Sequence, residues 1–274
     1  MTPLPARRSG GAAPERFGLH PGAWLVWAVG AGLVAISTTN PFYLLPLAAS
    51  AWIVHVICGR HDDRAWRVFL TIAAIAVVMR TVLVAFGPIG SGSVVGAALE
   101  GLRLGVLLVI FGTFNSVADP SRVLKLAPRR FYEVSLAAAL ALSIAPRTLA
   151  AIGRVREAQR MRGFGSPRWR SLPVLVVPVL QNGLEDAIVL AESMDARGHG
   201  RGRRSRYRPE GPSAAAICVA ASAAAAAALF IGTGLSGGGD LLPSMTPPEW
   251  PDASFALTAA AFSFASPAAI AVRS

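Results

Sequence analysis

Charged residues are scarce in this sequence. Asp, Glu, Lys and Arg make up 15% of the 274 residues, whereas about 25% is usual for a soluble domain. No residue of these four types occurs between Arg16 and Arg60, and hydrophobic residues make up 53% of the chain. An ordinary soluble protein is therefore excluded. We expect an all-α polytopic membrane protein with five transmembrane helices, or six, and a cytoplasmic or interfacial insert.

Cysteine and lysine are also nearly absent. Cys58 and Cys218 each lie in an apolar run, and their spacing to the four histidines does not resemble a metal site, so we expect no disulfide, metal or other cofactor. Lys125 is the only lysine, so the net charge of +11 comes from arginine. The arginine-rich run 201–208 precedes an apolar segment, which favours membrane lipid over nucleic acid as its partner.

The apolar segments predict the order of the membrane helices. Residues 1–22 form a cytoplasmic N-terminal segment whose following apolar run is retained as a first span. The region 23–114 contains four predicted spans, 23–37, 42–58, 68–86 and 94–114. The region 213–274 contains a fifth, 213–231, and a candidate sixth, 253–272.

Arginine placement predicts the orientation of these spans. The segment 58–67 carries three arginines and is predicted to be a cytoplasmic loop. The turn 87–93 has no charge, and 232–252 has acidic residues without Lys or Arg, so both are predicted to lie outside. We expect the chain in the cell membrane, as a multi-pass protein of the bacterial inner membrane.

Three charged residues interrupt the third and fourth predicted spans. They are Arg80, Glu100 and Arg103. Unpaired charges inside a membrane cost roughly 2.5 to 3.5 kcal/mol on insertion scales. Glu100 and Arg103 can share a helix face, so we expect a polar network in which Arg80 pairs across the helical hairpin.

Residues 115–212 have a different pattern, because arginine recurs throughout. Two apolar runs, 134–146 and 172–184, are each about 13 residues long, which is short of the roughly 20 residues that a spanning helix needs. Both runs also have arginines on either side. We expect neither to span, and predict long amphipathic helices on the membrane surface whose apolar faces need a partner.

The two predicted helices of this insert end in matching sequences. Each ending has Glu, four residues, Arg and Gly, as Glu157 to Arg162-Gly163 and Glu192 to Arg197-Gly198. Glycine after a helix end is commonly a simple cap. Two matched tips in one insert also suit docking to two similar partner surfaces, because a guanidinium makes several directed hydrogen bonds.

These residues resemble a known family. Met161-Arg162-Gly163 and Ala196-Arg197-Gly198 are similar to the paired Ala-Arg-Gly motifs of the transmembrane T component of energy-coupling-factor transporters, the cobalt-transport permease family. The first motif departs from the family in having Met161 in place of alanine. Further similarities are Thr39-Asn40-Pro41, Glu100-Gly101-Leu102 with Arg103, Asp119-Pro120 and Ala158-Gln159.

The resemblance implies that Arg162 and Arg197 each insert into a groove of one of two ABC-type ATPase subunits. It also implies that the apolar parts of the two long helices cradle a separate substrate-binding membrane component. The chain would then not be an enzyme, because ATP hydrolysis would occur in its partners. The solute implied is a vitamin, a metal ion or another micronutrient.

Two alternatives remain open on sequence grounds. The permease of a conventional ABC importer is one, because Glu157-Ala158-Gln159 with Gly163 fits the coupling loop of that class. An intramembrane enzyme is the other. Its acid, base or metal-ligand residues would come from this set: His55, His61, Asp62, Asp63 and Glu100.

Overall fold

The computed structural model of the chain describes residues 19–59, 64–85, 94–124, 126–163, 172–199, 211–236, 241 and 253–273. Every regular element within these ranges is helical, which confirms the all-α prediction. The described residues of 1–126 and 210–274 form one compact unit, unit 1, and those of 127–209 form another, unit 2.

Unit 1 contains α1 (Pro21–Ser37), α2 (Pro41–Cys58), α3 (Arg64–Ala85), α4 (Val94–Val117), α5 (Pro120–Leu124), α8 (Ala214–Ser236), α9 (Phe255–Ser263) and α10 (Ser266–Arg273). Unit 2 contains a 3₁₀ turn (Arg129–Phe131), α6 (Tyr132–Met161) and α7 (Leu172–Ala196). The predicted insert boundary at residue 115 falls inside α4, which continues to Val117.

Within the described residues, five helices are long and apolar enough to cross a membrane. They are α2, α3 over Arg64–Val84, α4, α6 over Glu133–Met161, and α8. The pair α9 and α10 passes the same test together, with a bend of 52° between its halves, and would be a sixth span. The chain is therefore a polytopic membrane protein, with the number of spans that the sequence predicts.

The membership of this set differs from the prediction at two helices. The first is α6, whose apolar run was expected to be too short. The helix runs from Tyr132 to Met161, in agreement with the predicted helix 131–162, and Pro146 lies inside it. The helix has 30 residues, and the apolar sequence resumes beyond Arg147, so the expectation that this segment is too short to span is wrong.

The second is α1, an apolar helix of 17 residues that is shorter than the other five. That length is at the lower limit of the roughly 17 to 25 residues of membrane helices. Its side chains nevertheless belong to the core of unit 1, where Trp27 and Val34 are fully buried. Gly30 allows α1 to approach α8 closely, because a Cβ there would lie 3.1 Å from the carbonyl oxygen of Ala223.

The pair α3 and α4 packs through glycine. A Cβ at Gly101 would lie 3.0 Å from the Cα atom of Val77, and one at Gly112 would lie 2.8 Å from the Cβ of Phe69. Small residues at helix interfaces let backbones approach, which gives dispersion contacts in a solvent that offers no hydrophobic driving force. The glycines of α4 therefore allow α3 to pack closely on α4.

The turn between α1 and α2 is a buried polar junction. Thr38 and Asn40 are fully buried, and the Thr38 hydroxyl donates to the carbonyl oxygen of Leu241 at 2.8 Å. The amide of Thr39 donates to the same oxygen at 2.9 Å. Asn40 caps α2 by accepting from the amide of Phe42 at 3.0 Å, and Pro41 takes the first helical position.

The break between α9 and α10 is bonded to neighbouring helices. The indole Nε1 of Trp27 donates to the carbonyl oxygen of Phe264 at 2.8 Å. The hydroxyl of Ser50 bonds to the carbonyl oxygen of Ala261 at 3.2 Å, and Ser222 and Ser266 share a hydroxyl contact at 3.0 Å. A helix can break inside a membrane only where its freed backbone groups find such partners.

The helix α3 begins earlier than predicted. Residues 64–67 were expected to belong to a loop, but Arg64 and Arg67 lie in the first turn of α3. Trp66 explains the difference, because its ring stacks on that of His55 with centroids 3.8 Å apart and lies edge-on to Trp52 at 4.9 Å. The first turn of α3 is thus packed against the last turns of α2.

Candidate functional site

The end of α6 carries the first predicted motif. Met161 is the last helical residue, and Arg162 follows as the C-cap with φ −85°. Gly163 has φ +79°, in the left-handed region that favours glycine. The amide of Gly163 donates to the carbonyl oxygen of Arg160 at 3.0 Å. The amide of Arg162 donates to the carbonyl oxygens of Ala158 and Gln159.

The end of α7 carries the second motif in the same arrangement. Ala196 is the last helical residue, Arg197 follows it, and Gly198 has φ +76°. The amide of Gly198 donates to the carbonyl oxygen of Asp195 at 2.8 Å, and that of His199 donates to Met194 at 3.0 Å. These two bonds form a complete Schellman motif, which satisfies carbonyl groups that a helix end otherwise leaves open.

The two arginines therefore occupy equivalent positions on two helices. Each lies between the last helical residue and a glycine in the left-handed conformation. All six residues of the motifs are exposed, and Met161 is 80% exposed. The predicted helix endings are confirmed. The geometry is that of a glycine cap in both cases, and it leaves each arginine side chain at a surface with a fixed backbone direction.

Glu157 and Glu192 precede the two arginines by the same number of residues. Both are exposed and lie in the last turns of their helices. A separation of five residues does not place a glutamate on the same helix face as the arginine, because neighbours on a face are three or four apart. The glutamates thus contribute to the surface around each tip.

The apolar faces of α6 and α7 are uncovered. No residue of the Glu133–Met161 span is buried. Leu142 and Leu149, seven residues apart on α6, are 45% and 69% exposed. On α7 the exposed apolar residues recur at helical spacing, as Val177, Leu180, Leu184 and Ile188. Both helices present an apolar stripe, as the sequence predicts, and this stripe requires lipid or another protein.

The predicted polar network is present in part. Arg80 pairs with Glu100 across the α3–α4 hairpin, and its Nε donates to Oε2 at 3.0 Å. Arg103 behaves differently from the prediction, because its guanidinium donates to the carbonyl oxygen of Ile36. That carbonyl belongs to the last turn of α1, where backbone acceptors have no partner within the helix. Arg103 thus ties α4 to the end of α1.

The remaining resemblance residues have local structural roles. Asp119 caps α5, with its Oδ1 accepting from the amide of Ser121 at 3.0 Å. Gly101 lies at the α3–α4 contact. Two hydrogen bonds had no signal in the sequence: Thr38 to Leu241 and Trp27 to Phe264. Each connects segments more than 200 residues apart.

The residues of the enzyme alternative do not converge in the described part of the chain. His55 stacks on Trp66, and Glu100 pairs with Arg80. His61, Asp62 and Asp63 lie outside the described residues. Among the described residues, no group of three or more His, Cys, Asp and Glu side chains could hold a metal ion. Both cysteines are free thiols.

No protein-family model matches the chain, and no curated protein matches it. The similarity to the T component therefore rests on the residues themselves.

Proposed function

We propose that the chain is the transmembrane coupling subunit of an energy-coupling-factor ABC importer in a bacterial inner membrane. It would pass the motion of two ABC-type ATPase subunits to a separate membrane component that binds a vitamin, metal ion or other micronutrient. The observation that carries this proposal is the pair of equivalent, exposed helix tips at Arg162 and Arg197.

The cap geometry suits transmission of force. A glycine cap ends each helix at a defined residue, so the arginine that precedes it has a fixed backbone. The planar guanidinium can make several directed hydrogen bonds with carbonyl or carboxylate groups of a groove. A helix of 30 residues, such as α6, is about 45 Å long. Movement of its C-terminal end would therefore be transmitted along the whole of α6.

The apolar stripes of α6 and α7 give the other contact. Side chains such as Leu149 and Leu180 are 69% and 65% exposed. A substrate-binding membrane component is a suitable partner, because it offers an apolar surface of its own. The arginine tips of α6 and α7 would thus contact the ATPases, and the apolar stripes would transmit their motion to the substrate-binding component.

The surroundings of the two tips differ in charge. In the last turn of α6, Arg160 is exposed, whereas near the end of α7 the exposed charges are Glu192 and Asp195. The two docking surfaces are therefore not interchangeable. We expect the two single arginine variants to weaken ATPase binding unequally.

The permease of a conventional ABC importer is the competing function, favoured by Glu157-Ala158-Gln159 with Gly163. The two assignments differ in their partners. A coupling subunit would be purified with ATPases and a small integral membrane protein. A conventional permease forms the substrate path itself and needs one coupling loop per chain, so loss of Arg197 would leave its ATPases bound.

Affinity purification of the full chain from membranes in mild detergent, followed by mass spectrometry, tests the proposal. We expect recovery of ABC ATPases together with a small membrane protein. Recovery without any ATPase would overturn the proposal. Arg154→Ala with Arg156→Ala is the matched control for the motif variants, because it removes two exposed arginines from α6 and leaves its cap intact.

A further inference from the structure

The ion pair of Arg80 and Glu100 lies at the surface of the protein although both residues belong to membrane-spanning helices. Their side chains are 45% and 53% exposed. Charged side chains within spans usually face the interior of a bundle or a water-filled cavity. The exposed part of this pair is open to a polar group from outside the chain.

The depth of the pair suits a lipid headgroup. Arg80 lies five residues before the end of α3 at Ala85, and Glu100 lies six residues after the start of α4 at Val94. At a rise of about 1.5 Å per residue, both are roughly 8 Å from the helix ends. Arginine side chains at this depth extend to the membrane interface.

The cluster has an excess of positive charge. Arg80 pairs with the carboxylate of Glu100, and Arg103 lies three residues after Glu100 on α4. Arg103 donates to a neutral carbonyl, that of Ile36, so its charge is not neutralised by this bond. One positive charge is left over, and the complementary group is an anion.

Apolar surface borders the charges. Leu104 lies one turn further along α4 than Glu100 and is 47% exposed, and Leu33 lies one turn before Ser37 and is 42% exposed. Leu104 lies further from the start of α4 than Glu100, and Leu33 lies further from the end of α1 than Ile36, whose carbonyl oxygen accepts from Arg103. A positively charged site next to an exposed apolar surface matches the two parts of a phospholipid.

We propose that Arg80 and Arg103 bind the phosphate group of an anionic phospholipid, whose acyl chains lie over Leu104 and Leu33. Glu100 positions the guanidinium of Arg80, and Arg103 supplies the unneutralised charge. The planar guanidinium forks fit phosphate oxygens. A lipid is favoured over an acidic side chain of a protein partner, because the charges lie near helix ends beside lipid-facing apolar residues.

The test is native mass spectrometry of the delipidated full chain, titrated with phosphatidylglycerol. Arg80→Gln and Arg103→Gln should each weaken binding about fivefold, since each removes one basic group near the membrane surface. Glu100→Gln should bind at least as tightly as the native chain, because it raises the positive charge. With zwitterionic phosphatidylcholine, the arginine variants and Glu100→Gln should not change binding in opposite directions.

Arg67→Gln is the matched control, because it removes an exposed arginine from the other end of the same helix, and it should leave binding unchanged. Three results would overturn the proposal. Equal weakening of lipid binding by Glu100→Gln and Arg80→Gln would indicate a purely structural ion pair. Weakening by Arg67→Gln equal to that by Arg80→Gln would show that the position of the arginine does not matter. Displacement of the lipid by inorganic phosphate at matched concentration would indicate a site for free anions.

Discussion

Arg162 and Arg197 occupy the same position at the ends of two different helices. Each follows the last helical residue and precedes a glycine with positive φ, 79° at Gly163 and 76° at Gly198. The sequence repeat of Glu, four residues, Arg and Gly is thus also a repeat of backbone geometry. One glycine cap alone requires no function. Two caps that present the same exposed side chain in one insert are the basis of the proposed coupling role.

The caps can be tested separately from the arginines. Gly163→Ala and Gly198→Ala each force a Cβ into a left-handed backbone, which costs roughly 1 to 2 kcal/mol. A Cβ at either position would meet nothing within 4 Å, so the cost comes from the backbone alone. We expect faster amide hydrogen exchange in the last turns of α6 and α7.

Gly153→Ala and Gly183→Ala are the matched controls. Both glycines lie inside the same two helices, and a Cβ there also meets nothing within 4 Å. Alanine in a helix interior is favoured over glycine by roughly 0.5 to 1 kcal/mol, so exchange should slow. A change of amide exchange rate in the same direction for all four variants would contradict the cap assignment.

The bond between Trp27 and Phe264 is expected to stabilise the break between α9 and α10. Trp27→Phe leaves a buried carbonyl oxygen without its donor, which costs roughly 1 to 3 kcal/mol. Denaturant unfolding in mixed micelles measures this loss. Trp24→Phe removes an indole that packs edge-on against Trp27, and serves as the control for lost volume. Equal destabilisation by both variants would show that the hydrogen bond contributes nothing.

The glycines of α4 are expected to control packing against α3. Gly112→Ala would place a Cβ 2.8 Å from that of Phe69, so the helices must move apart. Overpacking of this kind costs roughly 1 to 3 kcal/mol. Gly232→Ala in α8 is the control, because a Cβ there meets nothing within 4 Å. Unfolding midpoints compare the two, and an unchanged midpoint for Gly112→Ala would contradict the close approach.

In the proposed topology, α1 to α4 span the membrane, α6 and α7 lie at its cytoplasmic surface, and α8 crosses to the outside. In a background of Cys58→Ala and Cys218→Ala, a cysteine replacing His199 should react only with membrane-permeant thiol reagents. His199 is exposed directly after the second motif. A cysteine replacing Leu235, which is 86% exposed in the last turn of α8, should react with impermeant reagents. The reverse pattern in intact cells would contradict the proposed topology.

Several features of the fold could be predicted from the sequence because their signals are local. The turn before Pro41, the start of α5 after Asp119 and the two glycine caps each depend on residues within one helical turn. The Arg80–Glu100 pair could also be expected, because unpaired charges within spans are unfavourable and a hairpin brings them together.

The features that were missed depend on contacts between distant segments. The start of α3 at Arg64 is stabilised by packing of Trp66 on His55. The partner of Arg103 is a backbone carbonyl of α1, and a carbonyl has no signature in the sequence. The length of α6 agrees with the predicted helix 131–162, but its capacity to span was misjudged because only the apolar run up to Pro146 was counted, although proline also occurs within membrane helices.

The most direct test of the coupling role is ATP hydrolysis by the purified complex, measured with the native chain, with Arg162→Ala and Arg197→Ala together, and with Arg154→Ala and Arg156→Ala together. The account predicts that the motif pair nearly abolishes solute-coupled hydrolysis and releases the ATPases, while the control pair retains both. Coupled hydrolysis at the native rate in the motif pair, with the protein inserted and the ATPases bound, would contradict it and leave both motifs as helix caps.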